Sequence, residues 1–236
     1  MQVLCVIAAT VFCLIFDAVN EYPANPIQDF IDPAHRAETL KSRSVDLDAD
    51  GTTEFIAITA ERTIADHPIR GEIVLLKECD GNLTQVWLAG HLNPWKLEVG
   101  DVDGDGLIEF AVGVWKRSPL DPVMAKRVFF YSWDGDLVRP KWLGSRLSRR
   151  FDDFILFDIN TDGWAELIAL EIADGGKHRI AIYRWLDFGF EWLACSDEID
   201  GIIGLMTSEG TALAESNSCL YKINLLTDRV ELTPVK

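Results

Sequence analysis

Apolar residues along this chain fall in short runs bounded by Asp, Gly, Asn and Ser, and they do not recur with a helical period. Three runs match one another: Glu54–Thr59 (EFIAIT), Glu109–Trp115 (EFAVGVW) and Glu166–Ile172 (ELIALEI). A second matching set follows them, Glu72–Cys79 (EIVLLKEC), Arg127–Trp133 (RVFFYSW) and Arg179–Trp185 (RIAIYRW), which aligns Cys79 with Trp133 and Trp185. Asp80-Gly81 and Asp134-Gly135 then supply two-residue hairpin turns. A further strand carries Trp-Leu in each unit, at Trp87-Leu88, Trp142-Leu143 and Trp192-Leu193. Such tryptophans are expected in the core.

The units are registered by a repeated acidic segment. Asp46-Leu-Asp48-Ala-Asp50-Gly51-Thr-Thr-Glu54, Asp101-Val-Asp103-Gly-Asp105-Gly106-Leu-Ile-Glu109 and Asp158-Ile-Asn160-Thr-Asp162-Gly163-Trp-Ala-Glu166 share one pattern, and their first residues lie 55 and 57 positions apart. From Gly201 onward GIIGLMT, TALAES, SCLYKINL and RVELTPVK supply four more strands, but Thr207-Ser208-Glu209-Gly210 lacks the Asp ladder. Four short strands per unit without helix predict an all-β chain, a small β-propeller of about four four-stranded blades with the last degenerate. The blades are expected at about 41–90, 91–146, 147–196 and 197–236, with the acidic loops between the first and second strands of the first three.

Acidic side chains at positions 1, 3 and 5 of a tight loop converge on one centre, and Gly at position 6 permits a positive φ. A carbonyl at position 7 and a bidentate Glu at position 9 would complete an oxygen set suited to Ca²⁺, which takes roughly 6–8 oxygens; Mg²⁺ demands a stricter octahedron. The expected ligands are Asp46, Asp48, Asp50 and Glu54; Asp101, Asp103, Asp105 and Glu109; and Asp158, Asn160, Asp162 and Glu166, for up to three Ca²⁺. An EF-hand is excluded, because its position 12 would be Ala57, Val112 or Ala169 and flanking helices are missing.

These loops resemble the calcium loops of FG-GAP/VCBS repeats, found in integrin α-subunit propellers and in many bacterial secreted proteins. The resemblance covers Lys41 to about Cys195 and extends weakly beyond. Glu at position 9 and Asn160 depart from the family pattern, and no Phe-Gly…Gly-Ala-Pro signature is present. It implies metal as a structural clip on each turn, with no open catalytic position.

Charge and composition narrow the function further. Lys+Arg 22 against Asp+Glu 38 leaves a formal charge of −16, which argues against a nucleic-acid partner, since phosphate binding needs a basic field. Val3–Phe16 is an apolar run, broken only by Thr10, that would span only about 21 Å as a helix, too short for a comfortable crossing and fitting the h-region of a signal peptide. Residues 1–20 are therefore expected to be a signal peptide or N-terminal membrane anchor, the only membrane link, with 21–40 as lead-in and the mature chain secreted or at the cell surface. Cys79, Cys195 and Cys219 match no metal spacing and are expected as small buried hydrophobes.

In the predicted topology the ends opposite the acidic loops would carry Arg62, Arg70, Lys116, Arg117, Lys126, Arg127, Arg146, Arg149, Arg150, Lys177 and Arg179. Arg146, Arg149, Arg150, His91 and Trp95 are the candidate contacts there for a protein or anionic glycan. The competing reading pairs those arginines with Asp152 and Asp153 as a solvated loop. The four histidines show no metalloprotease spacing, and neither a nucleophile elbow nor a phosphate loop is present. The expectation is an exported, non-enzymatic, calcium-binding interaction module. One alternative is a calcium-stabilised polysaccharide hydrolase or lyase using Arg149, Arg150 and His91; another is a purely structural cell-envelope module.

Overall fold

The computed structural model describes residues 38–60, 62–64, 67–69, 71–90, 92–118, 121–144 and 147–235. The apolar segment 1–20, most of the lead-in, His91 and Arg146 lie outside them. Four antiparallel four-stranded sheets follow one another along the chain, and none closes on itself. Sheet one is β1 (Glu38–Val45), β2 (Glu54–Ala60), β5 (Glu72–Cys79) and β6 (Asn82–Ala89), with the small hairpin β3 (Arg62–Ile64) and β4 (His67–Ile69) inserted between β2 and β5. Sheet two is β7 (Pro94–Gly100), β8 (Glu109–Ser118), β9 (Asp121–Trp133) and β10 (Val138–Leu143). Sheet three is β11 (Phe151–Phe157), β12 (Glu166–Ile172), β13 (His178–Leu186) and β14 (Gly189–Cys195). Sheet four is β15 (Ile202–Ser208), β16 (Thr211–Ser216), β17 (Leu220–Leu225) and β18 (Val230–Pro234). Among the described residues no helix is long and apolar enough to cross a membrane.

Continuous apolar runs became second strands because those strands are covered on both faces. All seven residues of β2 are buried, whereas β6 at the sheet margin alternates with solvent. Three apolar layers fill the spaces between successive sheets. Ile56, Ile58, Ile73 and Leu75 meet Phe110, Val112, Phe129 and Tyr131; Ala111, Val128 and Phe130 meet Phe154, Leu167 and Tyr183; Ile168, Leu170 and Ile182 meet Leu205, Ala214 and Ile223. Each fully buried side chain of this size contributes roughly 1.5–3 kcal/mol of transfer free energy. A smaller cluster of Phe55, Ala57, Val74 and Leu76 lies on the other face of sheet one.

The first strands of successive sheets are neighbours, β1 beside β7, β7 beside β11 and β11 beside β15. A chain of alternating charge runs across them. The Arg43 guanidinium lies 3.3 Å from Glu98, and Lys96 Nζ lies 3.7 Å from Glu98 and 2.7 Å from Asp153. Asp153 then accepts the Leu205 N–H at 2.7 Å, so one carboxylate links sheets two, three and four.

Register corrects four details of the sequence reading. Phe55 pairs with Leu76, Phe110 with Tyr131 and Leu167 with Tyr183, so Glu78 stands where Trp133 and Trp185 stand. Cys79 is one residue further on, and it is exposed rather than a buried hydrophobe. The outer-strand bulge leaves Val86 and Lys141 unpaired in sheets one and two but Leu193 in sheet three. Trp192 therefore takes the place of Gln85 and Pro140 and is 46% exposed, while Ala194 takes the place of Trp87 and Trp142. Asp80-Gly81 forms the expected two-residue turn, but Trp133 pairs with Val138, so the turn at Asp134-Gly135 is four residues long. Asp134 satisfies that longer turn by accepting the N–H groups of Asp136 and Leu137. The degenerate fourth unit shortens its first connection to Glu209-Gly210, both at positive φ.

Candidate metal centres

The three acidic loops share one hydrogen-bond scaffold. The position 1 aspartates, Asp46, Asp101 and Asp158, accept the N–H of the position 6 glycines Gly51, Gly106 and Gly163 at 2.8–2.9 Å. Those glycines have φ of 86°, 86° and 96°, a conformation that an L side chain rarely adopts. The position 5 aspartates, Asp50, Asp105 and Asp162, accept the N–H two residues on. At position 9, Oε2 of Glu54, Glu109 and Glu166 accepts the N–H of Leu47, Val102 and Ile159, closing each loop on its first turn. This leaves Oε1 of each glutamate as the oxygen turned to the loop centre.

The loops also sit side by side. Ile108 donates its N–H to the Leu47 carbonyl at 3.1 Å and Ala165 donates to the Asp101 carbonyl at 2.7 Å, tying each loop to its neighbour.

The donor sets differ between loops. Carboxylate oxygens of Asp46, Asp48 and Asp50 lie within 4.8 Å of one another, as do those of Asp101, Asp103 and Glu109. In the third loop the Asn160 amide donates to Asp162 at 3.0 Å and to Glu166 Oε1 at 2.8 Å, filling the centre with a donor. Asp103 Oδ1 is buried without a hydrogen-bond partner, and the buried Glu54 Oε1 has only the Lys77 ammonium, 3.2 Å away. Hard, anionic, partly orphaned oxygens in a preformed turn fit Ca²⁺ in the first two loops. Asp46, Asp48, Asp50 and Glu54 would hold one ion, and Asp101, Asp103, Asp105 and Glu109 a second. The ion would supply charge neutralisation and cross-linking of the turn.

Burial pushes the Glu54, Glu109 and Glu166 carboxyls above the ordinary carboxylate range, partly offset by their hydrogen bonds. A basic side chain that sequence reasoning missed reaches each of these glutamates. Lys77 Nζ lies 3.2 Å from Glu54, Lys141 Nζ 2.6 Å from Glu109, and the Arg184 guanidinium 3.0 Å from Glu166. Lys77 and Arg184 stand at one register position of the third strand, a recurrence readable once the units are aligned on Leu76 and Tyr183. Lys141 comes from a bulge in the fourth strand and left no sequence signal.

At the opposite ends of the sheets the predicted cationic surface is partly neutralised. Arg127 is buried, bonded to the carbonyls of Lys116, Asp121 and Val123 and to the Asp121 carboxylate. Arg179 is committed to Glu171, which also receives the Tyr183 and Ser148 hydroxyls. Lys126 lies over the Trp95 ring at 4.7 Å and near Asp152, which His178 also contacts at 2.9 Å. Asp152 and Asp153 are thus occupied by His178, Lys126 and Lys96, and Arg149 turns instead to Asp174 at 3.7 Å. Arg117, Arg150 and Lys177 are exposed, whereas Trp95 packs edge-on against Phe154 with a buried Nε1 that finds no acceptor. Of the five candidate contacts, Arg149, Arg150 and Trp95 share this end of the sheets, and His91 and Arg146 fall outside the described residues.

No protein-family model matches this chain, and no curated protein matches it significantly.

Proposed function

We propose that this chain is a calcium-binding β-propeller of the FG-GAP/VCBS-like kind, exported and acting as a non-enzymatic interaction module. The observation that carries the reading is the scaffold shared by the three acidic loops, in which position 1, position 5 and glutamate oxygens hold the turn, together with the convergence of carboxylate oxygens on one centre in the first two. Four sheets stacked through their first strands support blades, and the apolar N-terminal run supports export.

Two Ca²⁺ are assigned, to the Asp46 and Asp101 loops, because Asn160 and Arg184 close the third. Metal here is a clip, adding its binding free energy to folding. The partner surface is the opposite end of the sheets, where exposed Arg117, Arg150 and Lys177 suit an anionic glycan or acidic protein. Replacing all three by Glu abolishes retention on an immobilised anionic polysaccharide if that surface is the binding one; undiminished retention refutes the assignment.

Isothermal titration of Ca²⁺ into chelator-treated protein tests the metal reading. About two equivalents are expected, with a melting temperature raised by several degrees. Asp101→Ala/Asp103→Ala should lose one equivalent. A melt indifferent to chelator, with no heat of binding, would overturn the reading.

A further inference from the structure

All three acidic loops contain a basic side chain delivered by a different part of the same sheet, and it sits where the loop oxygens converge. Lys77 Nζ, from β5, lies 2.7 Å from Asp50, 3.2 Å from Glu54 and 3.6 Å from Asp48. Lys141 Nζ, from β10, contacts both Asp103 and Glu109. The Arg184 guanidinium, from β13, lies 2.9 Å from Asp162 and 3.0 Å from Glu166.

The delivery routes differ. Lys77 pairs directly across from Glu54, and Arg184 follows Tyr183, the partner of Leu167, so it stands opposite Glu166. The matching position in sheet two is Ser132, and there the charge arrives from Lys141 at the bulge of the next strand. Two unrelated backbone positions thus bring a cation to equivalent glutamates. Glu54 and Glu109 are 0% and 1% exposed, and a buried carboxylate without a counter-charge is costly.

An ammonium has three donors and no acceptor, and here it occupies the oxygens that a Ca²⁺ would need at about 2.3–2.6 Å. The two cations cannot share those oxygens. We propose that Lys77 and Lys141 are tethered counter-ions that hold the first two loops together without metal and are displaced when Ca²⁺ enters, so that these lysines set the metal affinity. Their flexible four-carbon stems let the charge swing out to solvent, while the planar Arg184 fork, backed by the Asn160 amide, keeps the third loop latched. The exchange swaps one positive charge for two in a set of four carboxylates, which gives the displacement its driving force.

This inference rests on the proposed calcium reading, and its test separates the two. Lys77→Met, Lys141→Met and the charge-keeping Lys141→Arg are made in the full chain. Each is melted in excess chelator and titrated with Ca²⁺. The Met variants should melt lower than the parent in chelator and bind Ca²⁺ at least about tenfold more tightly at the affected loop. Lys141→Arg should keep the chelator melt and bind more weakly, which keeps the proposal open to refutation even where a Met variant folds poorly. Parent binding with Met variants unchanged in affinity overturns the exchange and leaves the calcium reading standing. Met variants that bind where the parent does not uphold the exchange and overturn the calcium reading for the native chain. Absence of binding in every variant overturns both.

Discussion

Replacing Asp153 should weaken the joint between three sheets at once. Its carboxylate is 15% exposed, receives Lys96 Nζ at 2.7 Å and the Leu205 N–H at 2.7 Å, and so bridges β7, β11 and β15. Asp153→Ala leaves the Leu205 N–H without its acceptor, a loss of roughly 1–3 kcal/mol. It also strips Lys96 of its shorter ion pair. Breaking a buried pair costs about 3–5 kcal/mol, but Lys96 retains Glu98 at 3.7 Å and the Leu205 carbonyl at 3.4 Å, so the low end applies. Taking the low end of both, the combined loss is about 4 kcal/mol, or roughly 8–16 °C in Tm for a chain of this size. Calorimetric melts in excess chelator hold metal linkage constant. Asp153→Asn, whose amide oxygen still accepts the Leu205 N–H, should recover about half of the loss. A cycle with Lys96→Met should give a coupling of at least about 1 kcal/mol. An Asp153→Ala protein melting within about 2 °C of the parent would refute the reasoning, and the apolar layers alone would then account for the joint.

Two further predictions follow from burial. Trp142 packs on Phe130 and Phe190 while Trp192 is 46% exposed, so Trp142→Ala should cost about 3 kcal/mol and Trp192→Ala less than about 1 kcal/mol in chemical denaturation. Equal losses would refute the shifted bulge. Burial pushes the Tyr131 hydroxyl up to about 12, and burial together with its bond to Glu171 also raises Tyr183. The unfolded chain releases such protons near pH 10, so this stabilisation is complete below about pH 10 and declines as pH rises toward about 12. Tyr131→Phe should flatten the fall in Tm between those values, and an unchanged slope would show that Tyr131 ionises without opposing the fold.

The acidic loops were legible because their chemistry is local: nine consecutive residues carry the acidic side chains, the positive-φ glycine and the scaffold bonds within one turn. The all-β class and the order of strands were legible for a similar reason, since alternation, Asp-Gly turns and a recurring unit are properties of short stretches. What escaped were quantities that depend on which residue lies opposite which. A one-residue offset moved Cys79 off the Trp133 and Trp185 position, and a Trp-Leu pair displaced by two residues relative to the bulge turned Trp192 outward while its sequence motif stayed the same. The cationic surface shrank because Arg127, Arg179 and Lys126 found partners on other strands. Lys77, Lys141 and Arg184 entered the acidic loops from 18 to 38 positions away. Sequence alone determined the acidic loops and the four four-stranded units, because those rest on neighbours along the chain, while the inserted β3–β4 hairpin went unread. Tertiary structure decided which charges remain open to a ligand, because counter-ion pairing is settled only when distant strands come into register.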